Sequence, residues 1–401
     1  MTPKLACPFC YNTIRRRGDL WFLCRGRPTP YRAACRPAVD EARRRLTGFA
    51  EPSLPAFQAP DEPMNLLPRG KANCPHCGGE TTTRACPHCH TRLPQEFGVS
   101  ASPLVAMVGA RGTGKTVYLT VLSRELESAS IGAEFGAVVQ PIGEGQDGFV
   151  SQSQWLRQNI RRVYDEYQLF PATAQAVDGR KEPLVLEWRV EQEKRFGLRR
   201  SRTNYLSFYD TAGEDLAGDA EAHSLHYLRA ANYLILLLDP FQLRGARDQL
   251  RLPAAATPRH EPTKDVLARI TEALKHSDHW NGRKITVPVA VAFTKMDAFY
   301  ELLEDTPLRQ LRRRPGGYDE ETGERVHQQV GGLLTKWGGD DINNHLRAYY
   351  RDYRYFFVSA LGAEPNYDNA TVNPRGVHPD RVEEPLLWLM YKGGLVSKVE
   401  P

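Results

Sequence analysis

Several features that mark other protein classes are missing from this chain of 401 residues. No cysteine occurs among the 312 residues from 90 to 401. Because disulfide scaffolds place cysteines throughout the part that they stabilise, this argues against a secreted disulfide protein and favours a reducing, cytoplasmic location. The longest strongly apolar run, Tyr233–Leu238, is too short to span a bilayer, and no apolar stretch precedes the first cysteine pair. We therefore expect neither a membrane span nor a secretory signal.

The composition is that of a folded globular protein. Apolar residues make up 41% of the chain and charged residues 25%, which excludes wholesale disorder. The length predicts two to three folding units.

All eight cysteines lie between Cys7 and Cys89, and three of their pairs have Cys-x-x-Cys spacing. Two such knuckles can supply four sulfur ligands to a tetrahedral Zn²⁺, which closes the site against water and makes it structural. Proximity in the sequence predicts two zinc sites. The first is expected to use Cys7, Cys10, Cys24 and Cys35, and the second, a zinc ribbon, Cys74, Cys77, Cys86 and Cys89.

The first group is less regular, and alternatives to a metal site remain open for it. Cys24 and Cys35 are merely buried thiols in one alternative, with Cys7 and Cys10 disordered. A redox pair is a weaker alternative, because the pairs do not follow a strand-to-helix turn that would activate a thiolate. The nearby histidines, His76, His88 and His90, are expected to be bystanders.

The formal charge of +5 is concentrated near the N-terminus: residues 1–100 carry +7 and the remainder about −2. Arginine runs at 15–17 and 43–45 would ordinarily indicate nucleic acid or acidic lipid as a partner. Two Cys₄ zinc sites would each contribute a net −2, which lowers the charge of residues 1–100 to about +3. Nucleic acid is therefore a second-choice partner.

From residue 103 onward, short apolar runs alternate with stretches of helical periodicity. Strands are predicted at 103–108, 133–140, 184–190, 205–209, 233–238, 287–293 and 355–358, and helices at 117–127, 153–167, 220–231, 264–276 and 383–391. This alternation indicates an α/β fold with a mostly parallel sheet and helices on both faces. The expected domains are a Cys₄ module (1–50), a Pro-rich linker (51–72), a zinc ribbon (73–95) and an α/β domain (100–394) with inserts near 141–182 and 304–330.

The loop after the first of these strands fits G-x-x-x-x-G-K-[ST] and precedes a predicted helix, as that motif requires. In such a loop, backbone N–H groups surround the β-phosphate, Lys115 neutralises the β/γ oxygens and the Thr116 hydroxyl ligates Mg²⁺. The sequence therefore predicts a nucleotide site. Its candidate residues here are Gly109, Ala110, Arg111, Gly112, Thr113, Gly114, Lys115 and Thr116.

Three further motifs follow, each at the end of an apolar strand. Asp210, in Asp-Thr-Ala-Gly213, places a carboxylate where a second Mg²⁺-shell ligand is needed. Asp297, in Thr294-Lys295-Met-Asp297, can accept both the N1 and N2 hydrogens of guanine, and adenine offers no such pair of donors. The last predicted strand ends in Ser359-Ala360-Leu361.

Four motifs in this order resemble those of a Ras-like P-loop GTPase of the translation-factor-related class, over about residues 100–394. The resemblance implies that residues 109–116 bind phosphate and that the segment from Asp210 to Gly213 senses the γ-phosphate. It also implies that the 294–297 motif reads guanine, with Ser359, Ala360 and Leu361 backing the base. The zinc ribbons and the phrase Leu238-Asp239-Pro240 resemble the bacterial double-GTPase group, whose members resemble components of multi-gene conflict or signalling systems.

Three positions depart from the family pattern. Thr116 and Asp210 are 94 positions apart, which requires an insert, so the switch threonine that completes Mg²⁺ ligation must lie beyond that insert. Thr173 is our candidate, and the alternative is a plain loop threonine. Glu214 stands where a water-orienting Gln or His is common, and a carboxylate cannot donate a hydrogen bond to the γ-phosphate. Arg111 occupies a position that is often small. It acts as an arginine finger in one interpretation, and points to solvent or pairs with Glu214 in the others.

We therefore predict a cytoplasmic GTP-binding switch with slow, Mg²⁺-dependent GTP hydrolysis, in a bacterial conflict or signalling system. Its cofactors are GTP/GDP, Mg²⁺ and two Zn²⁺, with Lys115, Glu214 and Arg111 as candidate catalytic residues. A protein partner is expected at the zinc modules or switch segments, and no membrane. The alternatives are a zinc-ribbon nucleic-acid-binding factor regulated by nucleotide, and a nucleotide-binding scaffold without hydrolysis.

Overall fold

The computed structural model describes residues 5–15, 17–49, 51–59, 70–94, 96–98, 102–142, 154–170, 183–193, 199–210, 221–250 and 262–400. The chain divides into two compact units. Unit 1 contains residues 1–104, 140–151 and 176–209, and unit 2 contains residues 105–139, 152–175 and 210–401.

The strands are β1 Leu5–Ala6, β2 Thr13–Ile14, β3 Trp21–Leu23, β4 Ala56–Phe57, β5 Ala72–Asn73, β6 Glu80–Thr81, β7 Arg84–Ala85, β8 Arg92–Leu93, β9 Leu104–Val108, β10 Ala137–Ile142, β11 Leu184–Glu193, β12 Arg199–Asp210, β13 Tyr233–Leu238, β14 Val289–Phe293 and β15 Tyr353–Phe357. The α-helices are α1 Glu41–Thr47, α2 Lys115–Glu127, α3 Ala129–Glu134, α4 Gln154–Ile160, α5 Glu221–Ala230, α6 Arg244–Arg247, α7 Thr263–Lys275, α8 Tyr300–Leu303, α9 Pro307–Gln310, α10 Glu320–Lys336, α11 Asp340–Tyr349 and α12 Glu384–Lys392. A π-helical turn, Arg161–Asp165, continues α4.

The predicted α/β fold with a mostly parallel sheet is confirmed. Seven strands form one sheet in the order β10-β11-β12-β9-β13-β14-β15. The pairs β9–β13, β13–β14 and β14–β15 are parallel, whereas β11 and β12 form an antiparallel hairpin. All seven predicted strands are present, with β10 displaced toward the C-terminus of its predicted range.

The central strands of unit 2 form because they are apolar along their whole length. Every residue of β9, β13 and β14 is buried, as expected for parallel strands covered on both faces. Helix α12 packs against β14, and α10 packs against β15. The parallel pairing of β9, β13, β14 and β15 places their carboxyl ends at one edge, where open α/β sheets bind their ligands.

Helices α10 and α11 of unit 2 are not among those that the sequence pattern predicts. Helix α10 spans 17 residues, and its first turn is capped by Asp319, whose carboxylate accepts a hydrogen bond from the Thr322 backbone N–H. Its sequence contains Gly323, Gly331 and Gly332, which lower helix propensity by about 1 kcal/mol each relative to alanine. Burial of Val326, Val330 and Leu334 on one face stabilises the helix despite these glycines. The predicted insert at 304–330 therefore includes part of a regular helix.

In unit 1, residues of the predicted linker belong to the folded module. Strand β4 pairs with β3, and the sheet order there is β4-β3-β7-β8. Phe57 is buried and its ring stacks on that of Phe22, with 6.1 Å between the centroids. The structure therefore corrects two parts of the predicted domain division: residues 51–59 are not a plain linker, and 1–50 and 73–95 are not separate modules. β11 and most of β12, predicted as part of the 100–394 domain, belong to unit 1 as well.

Among the described residues, no helix combines the length and the apolar character that crossing a lipid bilayer would require.

Candidate functional site

The phosphate-loop candidate, residues 109–116, connects β9 to α2 within unit 2. Gly114 precedes the helix with φ of +84°, a left-handed conformation that side chains other than glycine rarely adopt. At Gly109 a Cβ atom would lie 2.8 Å from the Leu237 carbonyl oxygen, so the loop passes too close to β13 for a side chain. The two glycines thus let the loop turn tightly at the N-terminus of a 13-residue helix, where backbone N–H groups attract anions.

Lys115 lies over this loop rather than in solvent. Its side chain is buried, and Nζ donates hydrogen bonds to the carbonyl oxygens of Gly109 at 2.9 Å and Ala110 at 3.0 Å. The Thr113 hydroxyl donates to the Ala110 carbonyl as well, at 2.9 Å. The ammonium is therefore held at the mouth of the loop, where it can neutralise phosphate oxygens.

The motif at 294–297 follows β14 and is joined directly to the phosphate loop. The buried Thr294 hydroxyl lies 2.8 Å from the Thr113 carbonyl oxygen and 3.2 Å from that of Leu238. Its hydrogen is therefore donated to backbone carbonyls. The arrangement gives Thr294 a structural part in joining the two loops, and its expected contact with guanine stays a prediction.

Lys295 is held by residues that follow the neighbouring strand β13. Its Nζ lies 2.6 Å from Asp239 Oδ2 and 5.1 Å from the centroid of the Phe241 ring. Asp239 is 4% exposed, and its other carboxylate oxygen accepts a hydrogen bond from the Phe241 backbone N–H at 2.9 Å. The backbone of Lys295 is left-handed, with φ of +54°. Lys295 is thus fixed at both its backbone and its charged end.

Asp297 is held from the other side, by the residue that follows β15. The buried Ser359 hydroxyl donates to Asp297 Oδ1 at 2.6 Å and accepts a hydrogen bond from the Gly362 backbone N–H at 2.8 Å. Burial raises the pKa of the Asp297 carboxyl, and the Ser359 hydrogen bond opposes that rise. Ala360 is half-buried and Leu361 is buried beside Ser359. The structure therefore brings together the 294–297 motif and the Ser359 segment.

The remaining predicted residues lie in the candidate phosphate loop, at the end of β12 or outside the described residues. Arg111 is exposed in the phosphate loop, and Thr116 is half-buried in the first turn of α2. Asp210 ends β12, as predicted, but its side chain is not among those described. Thr173, Gly213 and Glu214 lie outside the described residues, so their roles stay predictions.

The eight cysteines form two clusters, but the structure groups them differently from the sequence prediction. One cluster contains Cys7, Cys10, Cys86 and Cys89, and the other contains Cys24, Cys35, Cys74 and Cys77. The ligand sets are nested: the first and last pairs share one site, and the four cysteines between them share the other. The predicted sets, in which sequence neighbours share a site, are therefore wrong. The short strands of the sheet β4-β3-β7-β8 bring together cysteines that are distant in sequence.

The geometry of both clusters fits tetrahedral zinc. Four sulfurs at about 2.3 Å from a central ion lie about 3.8 Å apart. The structure gives Sγ–Sγ distances of 3.8 Å for Cys7–Cys89 and Cys10–Cys86, 3.5 Å for Cys24–Cys77 and 3.9 Å for Cys35–Cys74. These exceed the disulfide bond length of about 2.05 Å, and all eight cysteines are free. The chemistry and spacing of both donor sets therefore fit a structural zinc ion.

The first cluster is also part of the hydrophobic core of unit 1. Its four cysteines pack with Phe9, Phe97 and, from the β11–β12 hairpin, Val185 and Tyr205. The Ser207 hydroxyl of β12 donates to the Pro8 carbonyl oxygen, inside the first knuckle, at 2.6 Å. The cysteine module and the hairpin are therefore one packed body.

No protein-family model matches the chain. A protein of Mycolicibacterium smegmatis described as "Putative ESX-1 scaffolding and assembly protein SaeC" is 26% identical over 408 residues, which cover 96% of this chain and 97% of that protein. The alignment thus extends over nearly the whole of both chains.

Similar solved structures include the signal recognition particle receptor SRb-GTP/SRX complex from Chaetomium thermophilum, with 14% identity and a TM-score of 0.29, over 67% of this chain and 94% of that one. Sup35 complexed with GDP is 12% identical, with a TM-score of 0.23, over 66% of this chain and 38% of that one. The bacterial selenocysteine-specific elongation factor EF-Sec is also 12% identical, with a TM-score of 0.23, over 65% and 26%. Because these scores are low, the fold follows from the strand order and the flanking helices described above.

Proposed function

We propose that this chain is a GTP-binding switch with slow, Mg²⁺-dependent hydrolysis. The observation that supports this most directly is the hydrogen bond from Thr294 to the Thr113 carbonyl, because it joins the candidate phosphate and guanine loops. The Ser359 bond to Asp297 adds the segment after β15 to the same edge of the sheet. A nucleoside triphosphate placed with its phosphates at α2 would then meet a carboxylate that accepts the two guanine donors.

The preference for guanine is the first test of this proposal. In a titration with fluorescent nucleotides and Mg²⁺, we expect GTP and GDP to bind at least about 100-fold more tightly than ATP, since adenine would leave the half-buried Asp297 carboxylate without its donors. Equal affinity for ATP and GTP would refute the guanine assignment while leaving the phosphate site in place.

The residues around the phosphates suggest how the switch would work. The Thr116 hydroxyl and the Asp210 carboxylate are oxygen donors of the kind that Mg²⁺ prefers, and Thr173 is our candidate for the remaining protein ligand. The γ-phosphate would order the segment after Asp210, and hydrolysis would release it. Glu214 cannot donate a hydrogen bond to the γ-phosphate when ionised, so we expect slow turnover unless Arg111 or a partner supplies positive charge.

The similarity to the Mycolicibacterium protein suggests where such a switch would act. That protein is described as a scaffolding and assembly protein of ESX-1. We propose that this chain likewise acts in the assembly of a bacterial multi-protein system, with its cysteine module holding two structural Zn²⁺ and offering a docking surface for a protein. The narrower resemblance to double-GTPases stays a prediction.

Asp297→Asn is expected to change base preference rather than abolish binding. Guanine offers two N–H donors, whereas xanthine replaces the exocyclic amine with a carbonyl oxygen, so it offers a donor and an acceptor. The asparagine amide matches xanthine, and its oxygen can still accept the Ser359 hydroxyl hydrogen. Because two hydrogen bonds to a charged acceptor are altered, we expect the GTP affinity of the variant to fall about 100-fold. The variant should then bind XTP more tightly than GTP. Competition against a fluorescent guanine nucleotide measures both affinities.

Asp305→Asn is the matched control for this substitution, because Asp305 is exposed and lies outside the site. Its nucleotide affinities should equal those of the unmodified chain. If Asp297→Asn leaves GTP affinity unchanged, or weakens GTP and XTP alike in a folded protein, Asp297 does not read the base.

A further inference from the structure

The strand end that follows β13 carries a carboxylate, Asp239, that none of the four nucleotide motifs includes. It is 4% exposed, and each of its two carboxylate oxygens has a partner. Oδ1 accepts a hydrogen bond from the Phe241 N–H at 2.9 Å, and Oδ2 lies 2.6 Å from Lys295 Nζ. A buried carboxylate is costly unless it is paired and hydrogen-bonded, so this residue and Lys295 depend on each other.

The surroundings of Asp239 restrict where Lys295 can lie. Pro240 begins the short 3₁₀ turn Pro240–Gln242, and Asp239 caps that turn, so the carboxylate has little freedom. Phe241 is fully buried, and its ring lies 5.1 Å from the Lys295 ammonium, close enough for a cation–π interaction. The Asp239 carboxylate and the Phe241 ring therefore restrain a side chain that would otherwise sample many rotamers.

Holding the ammonium in this way has a consequence for the base. The Lys295 side chain remains 24% exposed while its charge is bound to Asp239. Its four-carbon stem is apolar and can cover the face of a planar ring. Lys295 lies two residues before Asp297, whose carboxylate is held by Ser359 from the opposite neighbouring strand. The 294–297 motif is thus held from both neighbouring strands, by Asp239 after β13 and by Ser359 after β15.

We propose that Asp239 is a positioning residue for nucleotide binding, which fixes Lys295 so that its stem forms one wall of the guanine site. This rests on the proposed GTP-binding function. Asp239 touches neither the phosphates nor the base in this assignment. Its effect is transmitted through Lys295, and it should therefore act on the base part of the ligand and not on the phosphate part.

The test uses Asp239→Asn in the full chain, with GTP and inorganic tripolyphosphate as competing probes against a fluorescent guanine nucleotide. The asparagine oxygen can still cap the Phe241 N–H, whereas the ion pair to Lys295 is lost. We expect GTP affinity to fall about tenfold, with tripolyphosphate affinity changed less than about twofold. In the Asp239→Asn background, Lys295→Met should cause little further loss of GTP affinity, although it weakens GTP binding in the unmodified chain.

Equal losses for GTP and tripolyphosphate, or no loss for either, would overturn the role of Asp239. Additive effects of Asp239→Asn and Lys295→Met would do the same, because residues that act through one contact are coupled. If Asp239→Asn does not fold, Asp239→Glu keeps the charge but moves it by one methylene, and the same base-dependent loss is expected. Failure of the proposed function is distinguishable, since the unmodified chain would then show no preference for GTP over ATP.

Discussion

Removal of zinc is expected to unfold the cysteine module of unit 1. A chelator that competes for zinc should release two Zn²⁺ per chain, and the release should coincide with loss of structure, monitored by tryptophan fluorescence and circular dichroism. The strands β1 to β8 have only two or three residues each, and all four cysteines of one cluster belong to the module's main hydrophobic core. Because cysteines make up part of that core, zinc binding and folding of the module are coupled, and structural zinc contributes about 10–16 kcal/mol in small domains.

The tryptophans give this experiment a local signal. Trp21 lies on β3, three residues before Cys24, and its ring stacks on that of His90, which follows Cys89, at 5.0 Å between centroids. His90 also lies 2.7 Å from Asp40. Loss of either metal should expose Trp21 and shift its emission to longer wavelength. Chelation that leaves both the emission and the spectrum unchanged would contradict a structural role for zinc.

Paired cysteine substitutions test the nested ligand sets directly. Cys7 and Cys86 share one cluster, so the double variant Cys7→Ser/Cys86→Ser should retain one Zn²⁺, measured by native mass spectrometry. Cys7→Ser/Cys24→Ser, which changes one cysteine in each cluster, should lose both ions. Ligand sets taken from sequence neighbours, 7–35 and 74–89, give the reverse results: loss of both ions in the first variant and retention of one ion in the second. Loss of one zinc in Cys7→Ser/Cys24→Ser would therefore contradict the structure.

These cysteines show where sequence reasoning is reliable and where it is not. The type and spacing of the residues are enough to predict two tetrahedral sulfur sites. Which pairs share an ion depends on the pairing of β3 with β7, which spans about sixty residues. Closing a longer loop costs only slightly more entropy, so proximity in the sequence is weak evidence for a shared site.

In the sheet and the nucleotide site, too, local sequence patterns predict some features, whereas others depend on contacts between distant parts of the chain. Strands such as β13 are predictable because an uninterrupted apolar run has few alternatives to a buried strand. Helices α10 and α11 are harder to predict, because their stability comes from tertiary burial rather than propensity. Asp239 belongs to no nucleotide motif, and its significance appears only when β13 and β14 lie side by side. An aspartate before proline at a strand end was the one local signal available.

Lys115→Ala is expected to have the largest effect on nucleotide binding. Lys115 is buried at the candidate phosphate loop, where little solvent screens its ammonium from a polyphosphate. Removing it leaves the β/γ oxygens without a charge-assisted partner, which costs about 3–4 kcal/mol, or roughly a 100- to 1,000-fold loss of GTP affinity. The loss should extend to tripolyphosphate, in contrast to that caused by Asp239→Asn. Titration of both ligands against the unmodified chain measures it.

The same variant decides between a switch and a scaffold. The unmodified chain should release phosphate slowly from Mg²⁺·GTP, and Lys115→Ala should abolish that release because Lys115 neutralises charge that develops on the transferred phosphoryl group. Lys336→Ala, an exposed lysine on α10, is the matched control and should change neither binding nor release. If the unmodified chain binds GTP but releases no phosphate above the Lys115→Ala background, the chain is a nucleotide-binding scaffold. If Lys115→Ala retains full affinity and release, the loop at 109–116 is not the phosphate site.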